Sequence, residues 1–120
     1  MKRDADLIRA IALATESLEN GESLTSMPDV NPHKFAAHVR LMIDAGLIEG
    51  QIVQFIGMEP PAAIVLRLTW DGCDFMDAAR NENLWKKAKD SVIAPTASWT
   101  FDILKQWLKT EILNGLPSLI

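Results

Sequence analysis

The chain has 120 residues, a net charge of −4 at pH 7, 48% hydrophobic residues and a single cysteine, Cys73. That length suits one domain able to bury roughly 65% of its unfolded surface without help from a metal, and one cysteine excludes an intrachain disulfide. The acidic balance argues mildly against a protein that clamps duplex DNA, because phosphate neutralisation calls for a basic face.

The opening Met1-Lys2-Arg3-Asp4-Ala5-Asp6 is followed by no long apolar run, so a secretory signal is not expected. No apolar stretch approaches the ~20 residues of a membrane-spanning helix. The expectation is a cytoplasmic protein with no membrane association.

In chain order, Leu7, Ile11, Ala14 and Leu18 fall at helical spacing and predict a helix over 4–19, ended by Asn20-Gly21. Residues 22–31 are polar and hold Pro28, which predicts a short helix or a turn. Asn31 then caps a second helix over 32–45, with Pro32 at its first position, where a missing N–H costs nothing. Gly46 stops it. Two runs rich in β-branched and aromatic residues, 47–56 and 64–69, predict a hairpin, with residues 57–63 as a proline-bearing tip. A third helix is expected from Asp71 to Val92, bent near Asn81 or Asn83. A last helix is expected after Pro95, capped by Thr96 or Ser98 and ended by Asn114-Gly115 before Pro117.

Helix, helix and hairpin in this order form the winged-helix arrangement, with 32–45 at the place of the recognition helix and the hairpin at that of the wing. The expected fold is therefore α+β, a winged helix-turn-helix with a β-hairpin wing and two additional C-terminal helices. The expected division is 1–94 for the winged-helix domain and 95–120 for a packing or dimerisation extension.

Residues 36–48, Ala-Ala-His-Val-Arg-Leu-Met-Ile-Asp-Ala-Gly-Leu-Ile, resemble the recognition helix of ArsR-type repressors. A wider resemblance rests on Met1-Lys2-Arg3-Asp4 with Asp6-Leu7-Ile8, and on His38 with Ala45-Gly46-Leu47-Ile48-Glu49. It continues through Arg67-Leu68-Thr69-Trp70, Gly72, Phe75, Asp77-Ala78, Arg80, Trp85, Lys87 and Lys89. Together these resemble a family of small bacterial and phage proteins known as a domain of unknown function. The resemblance implies a phage or prophage setting and a winged-helix-like fold, and no known activity. Cys73 stands where that family leads one to expect histidine.

The chemistry-bearing residues are few. His33, Lys34, His38 and Arg40 are the candidate groove-facing groups of the second helix, and Lys86, Lys87 and Lys89 are candidate backbone contacts. His33 and His38 are five apart, which puts them on different helix faces, and Cys73 has no second thiol, so no metal site is expected. His38 reads as a packing or surface histidine, and Cys73 as a small buried apolar residue. Asp71, Asp74 and Asp77 recur every third residue, but no nucleophile–base pair accompanies them. Asp71 favours a helix start and Asp77 can pair with Arg80. The expectation is a non-enzyme without cofactors.

Between Ser23 and Leu66 two basic residues, Lys34 and Arg40, face four acidic ones, Asp29, Asp44, Glu49 and Glu59. The wing tip holds Glu59 and no cation, although a wing entering a minor groove normally carries one. The last helix is apolar over a broad arc, and Trp99, Phe101, Leu104, Trp107, Leu108 and Ile112 are the candidate interface with a second copy or another protein. The leading reading is a phage-associated regulator binding double-stranded DNA as a homodimer, which the fold precedent favours. The alternative, which the charge favours, is a non-enzymatic protein–protein interaction module on the same scaffold.

Overall fold

The computed structural model describes residues 2–57, 59–94 and 100–115, with 114 and 115 as backbone alone. The chain is α+β, with five helices and a two-stranded antiparallel hairpin among these residues. Packing groups it into two compact units, Met1–Asp74 and Phe75–Ile120. The division falls within the third helix.

In the first unit, α1 (Ala5–Glu16) begins at Asp4, whose side chain accepts the Leu7 N–H. Leu7, Ile8 and Ile11 are buried on one face, as their spacing requires. The helix ends earlier than the pattern predicts. Leu18 N–H bonds three residues back to Thr15, and the Glu22 carboxylate takes the Glu19 N–H at 2.7 Å, so residues 17–22 turn. Residues 22–31 then form no helix. Asp29 adopts a positive φ of 61°, and Leu24 forms one two-bond antiparallel bridge with Val65.

Helix α2 (Pro32–Asp44) has the expected cap: the Asn31 side chain accepts the His33 N–H at 2.8 Å, with Pro32 in the first turn. Phe35, Ala36, Val39 and Met42 form its buried face. Burying each large side chain of such a face contributes about 1.5–3 kcal/mol. Gly46, at φ 75°, turns the chain into β1 (Ile48–Val53), which pairs antiparallel with β2 (Ala62–Leu68). The second strand thus begins at Ala62, two residues before its expected start, because Pro61 ends the tip and the alanines fit a half-buried strand.

The pairing shifts between Glu49 and Gly50, which leaves Leu66 as the extra residue of a β-bulge. Gly50 allows this, since a Cβ there would run into the Ile64 carbonyl.

Helix α3 (Trp70–Ala79) opens one residue earlier than expected and stops at Arg80. The helix expected to bend near Asn81 is in fact two. The Asn81 side chain accepts the Leu84 N–H and starts α4 (Glu82–Ala88), which runs into a π-helical turn, Lys89–Ile93.

In the second unit α5 (Phe101–Gly115) is capped by Thr100, whose hydroxyl accepts the Ile103 N–H at 3.2 Å. The caps expected at Thr96 and Ser98 lie outside the described residues. The core of this unit gathers Phe75, Trp85, Ala88, Val92, Leu104 and Leu108. Phe75 meets Trp85 edge-on, with centroids 6.2 Å apart, and Phe101 at a tilt, 5.2 Å away.

Candidate interaction surface

The residues expected to face a DNA groove do not act alike. His33 and Arg40 are exposed on α2. Lys34 is exposed too, but its ammonium sits 2.9 Å from the Asp4 carboxylate. That hydrogen bond holds the Asp4 carboxyl below its usual range, against the opposing effect of burial, with the Leu7 N–H and the Lys34 charge acting in the same lowering direction. His38 corrects the groove-facing expectation. It is wholly buried; its Nε2 accepts the Asp4 N–H at 2.9 Å and its Nδ1 lies 2.8 Å from the Lys34 carbonyl. With Nε2 accepting, Nδ1 carries the proton and donates. A ring so enclosed fastens the start of α1 to α2 and cannot reach a base edge.

The Arg67-to-Gly72 run builds a joint. Arg67 donates from Nε and a terminal nitrogen to the two Glu49 oxygens, at 2.9 and 2.7 Å, a fork that geometry makes specific. Glu49 hydrogen bonding raises the Arg67 pKa further above its ordinary value, and the Glu49 charge acts in the same direction. Thr69 caps α3: its hydroxyl accepts the Gly72 N–H at 3.0 Å and donates to the Gly46 carbonyl, while its own N–H donates to Leu47. Gly72 lies so close to the Leu47 carbonyl that a Cβ would collide with it. The corner between α2 and β1 is thereby locked to the start of α3. Trp70 takes no part in that lock and is 82% exposed.

The hairpin carries an apolar surface that the sequence reading left unmarked. Val53, Phe55, Ile56 and Leu66 are exposed, with Ile56 fully so. Gln51 opposes Ile64 and Val53 opposes Ala62, and directly opposed residues share a sheet face. A signal for this surface was present: from Gly50 to Leu66 the only ionisable side chain is Glu59.

Behind the hairpin, Val30, Pro32, Phe35, Pro60, Pro61 and Ile64 line an apolar cleft of about 430 Å³. A second cleft of about 400 Å³ lies between the end of α1 and β2, with Glu16, Glu19, Glu22, Arg67 and Cys73 on its walls. Cys73 is exposed there, which corrects its expected burial: the close Gly72–Leu47 approach takes the inward position of that helical turn.

In the second unit Lys86 and Lys87 are exposed and Lys89 is partly covered. Lys87 lies 3.7 Å from Glu111 on α5. The expected α5 interface is corrected in part. Leu104 and Leu108 are enclosed in the unit's own core, and Phe101 rests on Phe75, so these three are not free for a second copy. Trp107 and Ile112 are half-buried, and Trp99 lies outside the described residues. The exposed apolar residues of α5 are instead Ile103 and Leu113.

Asp71, Asp74 and Asp77 are exposed, and Asp77 pairs with Arg80 at 3.3 Å. Among the described residues no cluster of His, Cys, Asp or Glu is arranged to hold a metal, and no helix is long and apolar enough to cross a membrane.

The comparisons place the chain among related sequences. The family model described as "Hypothetical protein (DUF2513)" matches residues 2–98. An uncharacterized protein of Haemophilus influenzae (strain ATCC 51907 / DSM 11121 / KW20 / Rd) is 30% identical over 120 residues, covering 97% of this chain and 99% of the relative. No solved structure matches. With the family model spanning most of its length and a relative aligned nearly end to end, the chain belongs to the DUF2513 family.

Proposed function

We propose that this protein is a non-enzymatic protein–protein interaction module built on a winged-helix arrangement, with the hairpin as its docking element. The observation that carries this reading is the hairpin itself. A stretch of seventeen residues, Gly50 to Leu66, holds one ionisable group, an acid, and exposes Val53, Phe55, Ile56 and Leu66. A wing that enters a minor groove needs a cation, and an apolar, uncharged wing fits a protein surface.

The surrounding charge supports the same choice. The unit Met1–Asp74 carries eleven acidic and six basic residues. Of its cations, Lys34 is engaged by Asp4 and Arg67 by Glu49. The α1–α2–hairpin–α3 order supports the winged-helix assignment, while the turn at 22–31 stands where a helix-turn-helix pair has its first helix. Sequence-specific DNA binding is the second reading, favoured by the exposed His33 and Arg40 on the helix in the recognition position.

Fluorescence anisotropy of a labelled duplex pool, titrated at low and then physiological salt, separates the two. The interaction reading expects no binding beyond weak low-salt association. Binding that survives physiological salt and drops in the Lys34→Ala, Arg40→Ala double variant would overturn it.

A further inference from the structure

The segment that leaves α1 carries Asn20-Gly21, and both residues are exposed. Glu22 donates its backbone N–H to the Glu19 carbonyl at 3.0 Å, which closes a turn with Asn20 and Gly21 at its centre. Gly21 has φ 86°, and Asp29 is the only described non-glycine residue with a positive φ, so the turn is of type II. The peptide joining Asn20 to Gly21 is then the central one of the turn, and its N–H takes no part in the closing bond. Among the described residues no hydrogen-bond partner holds that N–H or the Asn20 amide. Apart from chain neighbours, no atom lies within 4 Å of where a Gly21 Cβ would stand, so nothing screens the nitrogen on that side.

We propose that Asn20 is a site of spontaneous deamidation through a cyclic imide. The Gly21 nitrogen, losing its proton to solvent base, attacks the side-chain carbon Cγ of Asn20. The bond from Cγ to the Gly21 nitrogen forms, the Cγ–Nδ2 bond breaks, and Nδ2 takes up a proton and leaves as ammonia. Water then opens the five-membered imide. Opening at Cγ gives aspartate, and opening at the main-chain carbonyl gives isoaspartate, with no oxidant or reductant involved.

The other asparagines are held differently. Asn31 precedes Pro32, which has no N–H to attack with. The Asn81 side chain accepts the Leu84 N–H at 3.0 Å, and that is the nitrogen Asn83 would need. Asn114-Gly115 repeats the dipeptide inside α5, where the helix directs the Gly115 N–H along its axis.

Either product places a new carboxylate on the cleft that Asn20 lines with Glu16, Glu19 and Glu22. Isoaspartate also adds a carbon to the main chain inside the turn, which opposes the bond between Glu22 and Glu19. The result is a slow, one-way change of charge and shape in one wall of that cleft.

The test is incubation of the full native chain at mildly alkaline pH, followed by isoelectric focusing and peptide mapping by mass spectrometry. An acidic form should grow in with time. The amide-to-acid mass change should map to position 20 ahead of positions 31, 81, 83 and 114, as aspartate together with isoaspartate. Asn20→Gln should delay the acidic form, because its longer side chain would have to close a six-membered ring. An Asn20 amide that stays intact, whether or not another asparagine converts, overturns the proposal. So does an acidic form that grows equally fast in Asn20→Gln. Aspartate without any isoaspartate overturns it too, because that outcome means direct hydrolysis by water and no attack by Gly21.

Discussion

The backbone N–H of Asp4 and the imidazole Nε2 of His38, thirty-four residues apart in sequence, are hydrogen-bonded at 2.9 Å. The other ring nitrogen meets the Lys34 carbonyl one turn back along α2. One buried side chain therefore satisfies a backbone donor at the entrance to α1 and a carbonyl inside α2. His38→Ala should cost about 2–4 kcal/mol, from a cavity plus a stranded donor. Urea unfolding measures it. A change below about 0.5 kcal/mol would mean the ring is not a fastening.

Asp4 also caps α1 and pairs with Lys34. Its carboxyl is depressed below the ordinary value of 3.8, chiefly by the Lys34 hydrogen bond. The sign follows from linkage: the folded chain prefers the charged form, so this stabilisation is complete above pH 3.8 and is lost as pH falls through the lower folded value. Asp4→Ala should cost about 1 kcal/mol at neutral pH, mostly from the cap, since an exposed ion pair adds only a few tenths. Asp4→Asn should keep much of the cap and flatten the acid limb of stability against pH. Thermal melts across acid pH read both effects.

Thr69 and Gly72 form a second joint. Thr69→Ala should lose about 1–2 kcal/mol, and Thr69→Ser should recover most of it, because the hydroxyl alone makes both bonds. Gly72→Ala should be worse, about 3 kcal/mol or more, because the new methyl meets backbone rather than a movable side chain. Denaturation midpoints for the three variants give the order.

Trp70 and Trp85 offer an internal contrast. Trp85 is 3% exposed and packs edge-on to Phe75, whereas Trp70 is 82% exposed. Trp85→Ala should cost about 3–5 kcal/mol. Trp70→Ala should change stability by less than about 0.5 kcal/mol while removing the tryptophan that, among the described residues, is most open to acrylamide quenching.

Much of the fold was legible because local chemistry decided it. Asn31-Pro32 announces the start of α2, and Leu7, Ile8 and Ile11 announce the buried face of α1. What escaped depends on contacts distant in sequence. Whether Asn81 bends a helix or starts a new one turns on its side chain taking the Leu84 N–H. His38 looked like an outward group on a recognition helix, and only the arrival of Asp4 from the other helix shows that it points inward. On α5 the broad apolar arc was visible, but not that Leu104 and Leu108 fill the core beside Phe75 and Trp85. The hairpin surface depends on which apolar residues the sheet turns outward, and the charges the wing lacks do not by themselves say that Val53, Phe55, Ile56 and Leu66 are exposed.

The lack of charge from Gly50 to Gly57 also bears on the chain before it is folded. Strand β1 leaves the ribosome ahead of β2, and it has no antiparallel partner until residues 62–68 have followed it. During that interval an uncharged run of β-branched and aromatic residues, with Pro60 and Pro61 arriving only later, is the part of the nascent chain most able to pair with a neighbour's strand. Closure of the hairpin ends that interval, and the Gly50 bulge, by fixing the register at its base, helps decide which pairing wins.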